Sequence, residues 1–373
     1  MSEIKISIFD EFFCIADKCS YSCCRDWNKI GLLDDEMKIY LEEPYIAKGI
    51  DVTEKKFKFK EDNRCTFLNN SGLCKLVLKY GGDILCHTCS TYPRIIRMNH
   101  GVKEFTLGNG CPKVLDMLAK ADVPLPFLLE GEGFTEEYLN SIDTVIRDII
   151  IDILQCRDFP LWKRIYFIYS FVNALINKIE DEQLAVMGEY NSYDYIARLT
   201  KNYDTIEIDF ETIIKKLHYF FNYVNNSEEN KKRMPYIKYI DKYCNKEINF
   251  DMKKIELKLT ELNEYMADYE NMLENICVNI VFRGITSSKQ EVILNTVIAM
   301  IMTLTMSLYT LFLIKYDEKI IEENDMYNIF SYYSRIIENN TINYKESLDR
   351  IMENGIFSKG DFFILCKGLD ILS

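Results

Sequence analysis

The segment FFCIADKCSYSCCRDW (Phe12–Trp27) places four cysteines, Cys14, Cys19, Cys23 and Cys24, within eleven positions. CTFLNNSGLC (Cys65–Cys74), CHTCSTYPR (Cys86–Arg94) and Cys111-Pro112 add Cys65, Cys74, Cys86, Cys89 and Cys111. Nine of the thirteen cysteines therefore precede residue 112. A scattered thiol packs as a small apolar residue and needs no further account. Nine gathered in one stretch point to metal coordination or to a disulfide framework. The local signals between them all reverse the chain. Asn69-Asn70-Ser71-Gly72 is a turn that brings Cys65 and Cys74 together. Asn99-His100-Gly101 reads as a three-residue hairpin loop between Arg94–Met98 and Val102–Leu107, returning the chain to Cys111. Residues 4–13 suit a short strand, Asp34–Glu43 a short helix, Lys55–Lys60 an exposed strand, and Lys75–Tyr80 a helix ended by Gly81-Gly82.

Working outward, Asp122–Phe134 (DVPLPFLLEGEGF) carries two prolines and two glycines and marks the expected domain boundary. Thr135 is the expected N-cap of the next helix, with Phe134 and Leu139 as a hydrophobic staple. Helix-length amphipathic runs then occupy 138–156, 161–180, 182–200, 206–225, 233–246, 252–283, 288–316, 318–339, 344–354 and 359–371. The expected fold is mainly α: an irregular cysteine-rich metal-binding domain with a small β-hairpin (1–133), followed by an α-helical bundle domain (134–373). Val292–Ile314 (VILNTVIAMIMTLTMSLYTLFLI) is long enough to span a bilayer. It contains Asn295, Thr296, Thr303, Thr305, Ser307 and Thr310, and Ser287 with Gln290 fits a capping box. It reads as the buried central helix of the bundle, and no membrane span is expected.

The formal net charge of -13 argues against a nucleic-acid face, which needs clustered Lys and Arg, and is compatible with a lysine-bearing partner. Met1–Asp10 lacks a basic region followed by an apolar run, so a cytoplasmic protein with reduced thiols is expected. That favours metal ligands over disulfides. Zinc sites commonly show two C-x2-C pairs. Here Cys86/Cys89 is the one such pair, Cys23-Cys24 are adjacent, and nine thiols exceed a single four-coordinate site. Spacing thus places an iron–sulfur cluster ahead of zinc, the alternative metal. All nine early cysteines are candidate ligands. No Gly-rich loop follows a strand, which excludes a conventional Rossmann nucleoside site. Cys156, Cys244, Cys277 and Cys366 read as packing residues, His87 as a residue beside the metal ligands, and His100 and His218 as structural.

The ordered set C-x4-C-x3-C-C-x2-W (Cys14 to Trp27), C-x-F-L (Cys65 to Leu68), G-L-C (Gly72 to Cys74), C-x2-C-x-T-Y-P-R (Cys86 to Arg94) and C-P (Cys111, Pro112) resembles the flagellin lysine N-methylase family. The resemblance covers roughly the first third of the chain. It implies methyl transfer from S-adenosylmethionine to lysine side chains of flagellin or a similar protein, and a [4Fe–4S] cluster on the cysteine motif. Lys113 stands where the family usually has an acidic residue. Arg94, Tyr92 and Trp27 are the candidate cofactor contacts: Arg94 for a carboxylate such as that of the methyl donor, the two aromatics as walls of the metal site. The catalytic base is left open. Two other classes fit the same letters: an iron-dependent redox enzyme that modifies a peptide, and a structural zinc-binding interaction module.

Overall fold

The computed structural model describes residues 2–25, 30–131, 133–190, 192–207, 209–226, 239–244, 246, 248, 250–338 and 360–362. The chain is mainly α. Its strands are β1 (Glu3–Ile6), β2 (Ile50–Asp51), β3 (Lys56–Phe57), β4 (Arg94–Asn99), β5 (Val102–Leu107) and β6 (Phe127–Glu130). One sheet runs β4-β5-β1-β6, with β1 parallel to β5 and antiparallel to β6. The expected hairpin is present, but Asn99 pairs with Val102, so its loop is two residues, not three. His100 (φ 43) and Gly101 (φ 80) both take left-handed backbone, as a tight hairpin turn whose twist matches its strands requires. β6 lies inside the Pro/Gly-rich stretch read as a boundary. Its hydrogen-bonding partner is the distant β1, which local composition does not reveal. The alternating lysines of 55–60 supply only the two residues of β3.

Apolar packing divides the molecule unequally. The large core joins Ile6, Phe9, Phe105, Leu107 and Leu115 to the helices that follow, so contact is continuous across residue 133. A separate small cluster lies within 30–89, around Ile30, Tyr40, Phe57, Phe67 and Leu76. Its helices are short, Asp34–Glu42, Pro44–Ala47, Lys75–Tyr80 and His87–Thr91. Lys75–Tyr80 stops at Gly81, whose φ of 88 suits glycine.

The central helix Gln290–Tyr316 is the one described helix long and apolar enough to cross a membrane, and its apolar window is wholly buried in the protein. Helices Leu161–Leu175, Met252–Met266, Glu270–Gly284 and Glu323–Tyr333 pack around it. Its start differs from expectation: Lys289 is the N-cap and no capping side chain bonds there. Gln290 instead accepts from Asn177 N and donates to Lys178 O, each at 2.7 Å. Thr135 does cap helix Glu136–Asn140 through Tyr138 N (3.1 Å). The staple does not form, because Phe134 stacks on Tyr138 and Leu139 is exposed. The run 252–283 is two helices joined by a turn at Ala267–Tyr269, and 182–200 is split between Glu180–Tyr190 and Tyr193–Asp204. The run 344–354, half of 233–246 and most of 359–371 lie outside the described residues.

Helix Glu270–Gly284 holds the sheet against the bundle with polar teeth. Asn279 Nδ2 donates to Leu107 O (2.7 Å), its Oδ1 accepts from Thr106, and Asn275 Nδ2 donates to Leu118 O (3.0 Å). Glu104, fully buried on β5, accepts from Arg147 (2.7 Å), Arg97 (2.5 Å) and Tyr138 (2.9 Å). Arg97 also donates to Phe282 O (2.6 Å). These bonds fix where the strand pair delivers Pro93 and Gly108, and hence Cys111.

Candidate metal centre

Each cysteine reaches the site by the local geometry of its segment. Cys23 and Cys24 open a 3-10 turn, Cys23–Arg25. Cys24 O accepts from Cys65 N (2.8 Å), tying the first motif to the second. The Asn69–Gly72 turn closes as expected: Asn69 N donates to Leu73 O (2.9 Å), and Leu68 bridges Cys74. Gly72 takes φ 79 there and passes close to the Asp17 backbone, a place where a side chain would strain the chain. Cys86 occupies the N-cap position of helix His87–Thr91, with no capping bond from its side chain, and Cys89 is the third residue of that helix. Cys111 precedes helix Pro112–Lys120, with Pro112 at its first position.

Eight of the nine early thiols, those of Cys14, Cys19, Cys23, Cys24, Cys65, Cys74, Cys89 and Cys111, line one cavity of about 380 Å³. The ninth, Cys86, is fully buried and hydrogen-bonds the Cys89 thiol. None of the nine early cysteines is joined in a disulfide. As placed, no three His, Cys, Asp or Glu side chains among the described residues stand close enough to hold one ion. Burial pushes the Cys65 thiol up to about 11 and that of Cys111 up to about 12. The hydrogen bond from Cys24 pulls Cys23 down, against the opposing effect of burial. Thiolates in such surroundings require a compensating cation.

The cavity has a wall that the cysteine motifs do not announce. Arg335, from the turn following helix Glu323–Tyr333, is 3% exposed and reaches into it. Its Nε donates to Gly110 O (2.7 Å) and a terminal nitrogen to Tyr21 O (2.9 Å), while the guanidinium lies 3.8 Å from the Tyr21 ring centroid. The same charge acts on Cys19, Cys23 and Tyr92. No sequence signal marked Arg335: it lies in a helical run far from every cysteine of the motif.

Of the candidate cofactor contacts, Arg94 and Tyr92 do line the cavity. Arg94 donates to Phe12 O (2.6 Å) and covers the Phe12 ring at 5.1 Å. Trp27 lies outside the described residues. Lys113 also lines the cavity, paired with Asp116 at 2.5 Å. His87 is exposed and does not line it; its backbone N donates to Glu36. His218 bonds Tyr309 (3.0 Å) and Lys246 O (2.7 Å), and His100 bonds Asp143 (3.0 Å), as structural residues do. Cys244 and Cys277 are buried packing residues; Cys156 is exposed. Cys366 lies outside the described residues.

Residues 147–365, more than half of the chain and including Arg335, match the model of the FliB lysine N-methylase C-terminal domain. The chain belongs to the FliB lysine N-methylase family. The helical part that defines this FliB-family chain therefore also supplies the cationic wall of the cysteine cavity. Two curated relatives align over 130 residues, 31% of this chain, at 26% identity. One is the flagellar biosynthetic protein FliU of Salmonella muenchen, of which 76% is covered. The other is the lysine-N-methylase of Salmonella choleraesuis (strain SC-B67), of which 32% is covered, so the alignment spans about a third of that relative's length. No solved structure matches the chain.

Proposed function

We propose that this chain transfers methyl groups from S-adenosylmethionine to lysine side chains of flagellin, in the cytoplasm, with an iron–sulfur cluster of the [4Fe–4S] type held by the early cysteines. The observation that carries the reading is the junction itself. The family-defining helical domain closes, through Arg335, a cavity lined by eight free thiols. The donor set is chemically suited to iron and sulfide, which thiolates hold. Eight thiols line the one cavity, more than a single four-coordinate zinc ion uses, which favours a polynuclear group. A bound cluster would supply a compact, redox-capable, electron-rich centre there. The chain's own residues do the rest: Arg335 fixes the carbonyls of Tyr21, two residues before Cys23, and of Gly110, next to Cys111, and offsets thiolate charge, and Arg94 offers a guanidinium to a donor carboxylate.

The transfer needs a neutral lysine amine. Its lone pair attacks the methyl carbon of the sulfonium, the carbon–sulfur bond breaks, the thioether departs, and the amine gives up a proton. Free lysine titrates near ~10.4, so the protein must favour deprotonation by burial or a base. The flagellar name of one relative and the lysine-N-methylase name of the other support flagellin as the acceptor. The test is incubation of anaerobically purified protein with methyl-labelled S-adenosylmethionine and flagellin. Label on flagellin lysines is expected; none from metal-loaded protein overturns the reading.

A further inference from the structure

β4 is outermost in the sheet order β4-β5-β1-β6, so one of its sides has no strand beside it. Gly108 N donates to Pro93 O (2.8 Å), which fixes the phase of the β4–β5 ladder. In an antiparallel ladder, hydrogen-bonded pairs alternate with non-bonded ones. Pro93, Ile95, Arg97 and Asn99 therefore turn their backbone groups to β5, and Arg94, Ile96 and Met98 turn theirs outward. Among the described residues nothing bonds those outward N–H and C=O groups. Side chains alternate as well. Arg97 reaches to the bundle, where it bonds Glu104 and Phe282 O, and Asn99 is buried. Ile96 and Met98, on the opposite face, are 50% and 54% exposed.

Folded proteins normally blunt a sheet edge by proline, charge or short length. β6, at the other edge of this sheet, has four residues and follows Pro126. β4 has six residues and no proline, and two of its three outward positions carry large apolar side chains. A row of free N–H and C=O groups beside apolar side chains complements one kind of ligand, an extended polypeptide that adds as a further strand. The place of the edge narrows the choice of polypeptide. Its first residue, Arg94, lines the cysteine cavity together with Tyr92 and Pro93, so an added strand runs to that cavity. At the other end, exposed Glu137 lies 3.4 Å from His100 of the hairpin tip. That carboxylate and the net charge of -13 attract a lysine-bearing segment, and the same net charge repels a second copy of this chain.

We propose that the outer edge of β4 is the docking site for the protein acceptor: an extended segment of flagellin pairs with Arg94, Ile96 and Met98 and delivers its lysine to the cavity at the Arg94 end. The identity of the acceptor rests on the function proposed above; the capture of an extended chain is read from the edge itself. Residues directly opposite each other in a ladder share a face of the sheet. The lysine therefore stands across from Arg94, and the residues two and four positions along the segment meet Ile96 and Met98. Apolar side chains at those two positions complete the match, so the edge selects among lysines. A lysine with charged residues at both positions is a poor acceptor.

The experiment is hydrogen exchange of full-length protein, purified anaerobically, alone and with excess flagellin, beside methyl labelling in the same mixtures. The outward amides of Ile96 and Met98 should exchange fast alone and slowly with flagellin. Ile96→Pro removes one outward N–H and no bond to β5. It should raise KM for flagellin about tenfold and leave kcat nearly unchanged, as the loss of a docking bond does. Met98→Asp, at an exposed position, should act in the same direction. Far-UV circular dichroism is the folding control for both variants. Wild-type KM in both, with no protection at 94–99 in the parent protein, overturns the docking site and leaves the methyl-transfer reading standing. Protection at 94–99 without labelling keeps the docking site and removes the methyl-transfer reading. Protection that appears on concentrating the protein without flagellin assigns the edge to a second copy and overturns the proposal.

Discussion

Arg335 places a fixed positive charge between Tyr21 O and Gly110 O, within reach of Cys19 and Cys23. A cation there stabilises the more negative, reduced form of a thiolate-bound cluster, because net charge and hydrogen bonding set such potentials. Arg335→Gln should therefore lower the midpoint potential, and Arg335→Lys should restore most of it. Redox titration followed by electron paramagnetic resonance reads this; equal potentials in all three proteins would mean that the arginine acts only as a clamp. A second buried charge acts on stability. Burial opposes ionisation of Glu104, but Arg147 and Arg97 outweigh it and hold the carboxyl below the usual range. Its contribution is complete above the unfolded value of about 4.3 and is lost as pH falls through the lower folded value. Glu104→Gln should cost about 3–5 kcal/mol at neutral pH, since it leaves buried arginines uncompensated, and should flatten the acid limb of stability below about pH 4. Urea unfolding at several pH values checks both; an unchanged acid limb would assign that limb to other carboxylates.

Among elements, the central helix Gln290–Tyr316 has nearly every side chain from Thr296 to Ile314 in the core. Leu308→Ala should destabilise the protein by about 2–5 kcal/mol, the range for a leucine truncated in a packed interior. A loss under about 1 kcal/mol, measured by chemical denaturation, would indicate that this helix is not the core. The helix was legible because its apolar run is long and continuous, and three of its small polar residues bond within the helix: Thr296, Ser307 and Thr310 donate to carbonyls one turn back. The hairpin and the Cys65–Cys74 reversal were legible because turn chemistry is local. β6 was not, since a strand made by pairing with β1 carries no signal of its own amid prolines and glycines. The start of the central helix was misread for the same reason: Gln290 satisfies a distant backbone at Asn177 and Lys178, not a capping box with Ser287. The thiols of the site were legible as a set; Arg335 was not, because only tertiary packing brings it to them.

At the scale of the molecule, a large helical core and a small cysteine-bearing core meet at one cavity. Their stabilities should differ. If the cysteines hold the proposed metal group, anaerobic chelation should raise hydrogen exchange across 30–89 while the central helix stays protected, because the small core buries little apolar surface and the large one much. Uniform loss of protection would mean that the two fold as one cooperative unit. The claim on which the account rests is that methyl transfer depends on the group held by these cysteines. The most direct measurement compares metal-loaded with metal-stripped protein, both retaining native helical circular dichroism, for transfer of labelled methyl from S-adenosylmethionine to flagellin. The account predicts lysine labelling by the loaded protein and its loss on stripping. Equal labelling by the stripped, folded protein would contradict it.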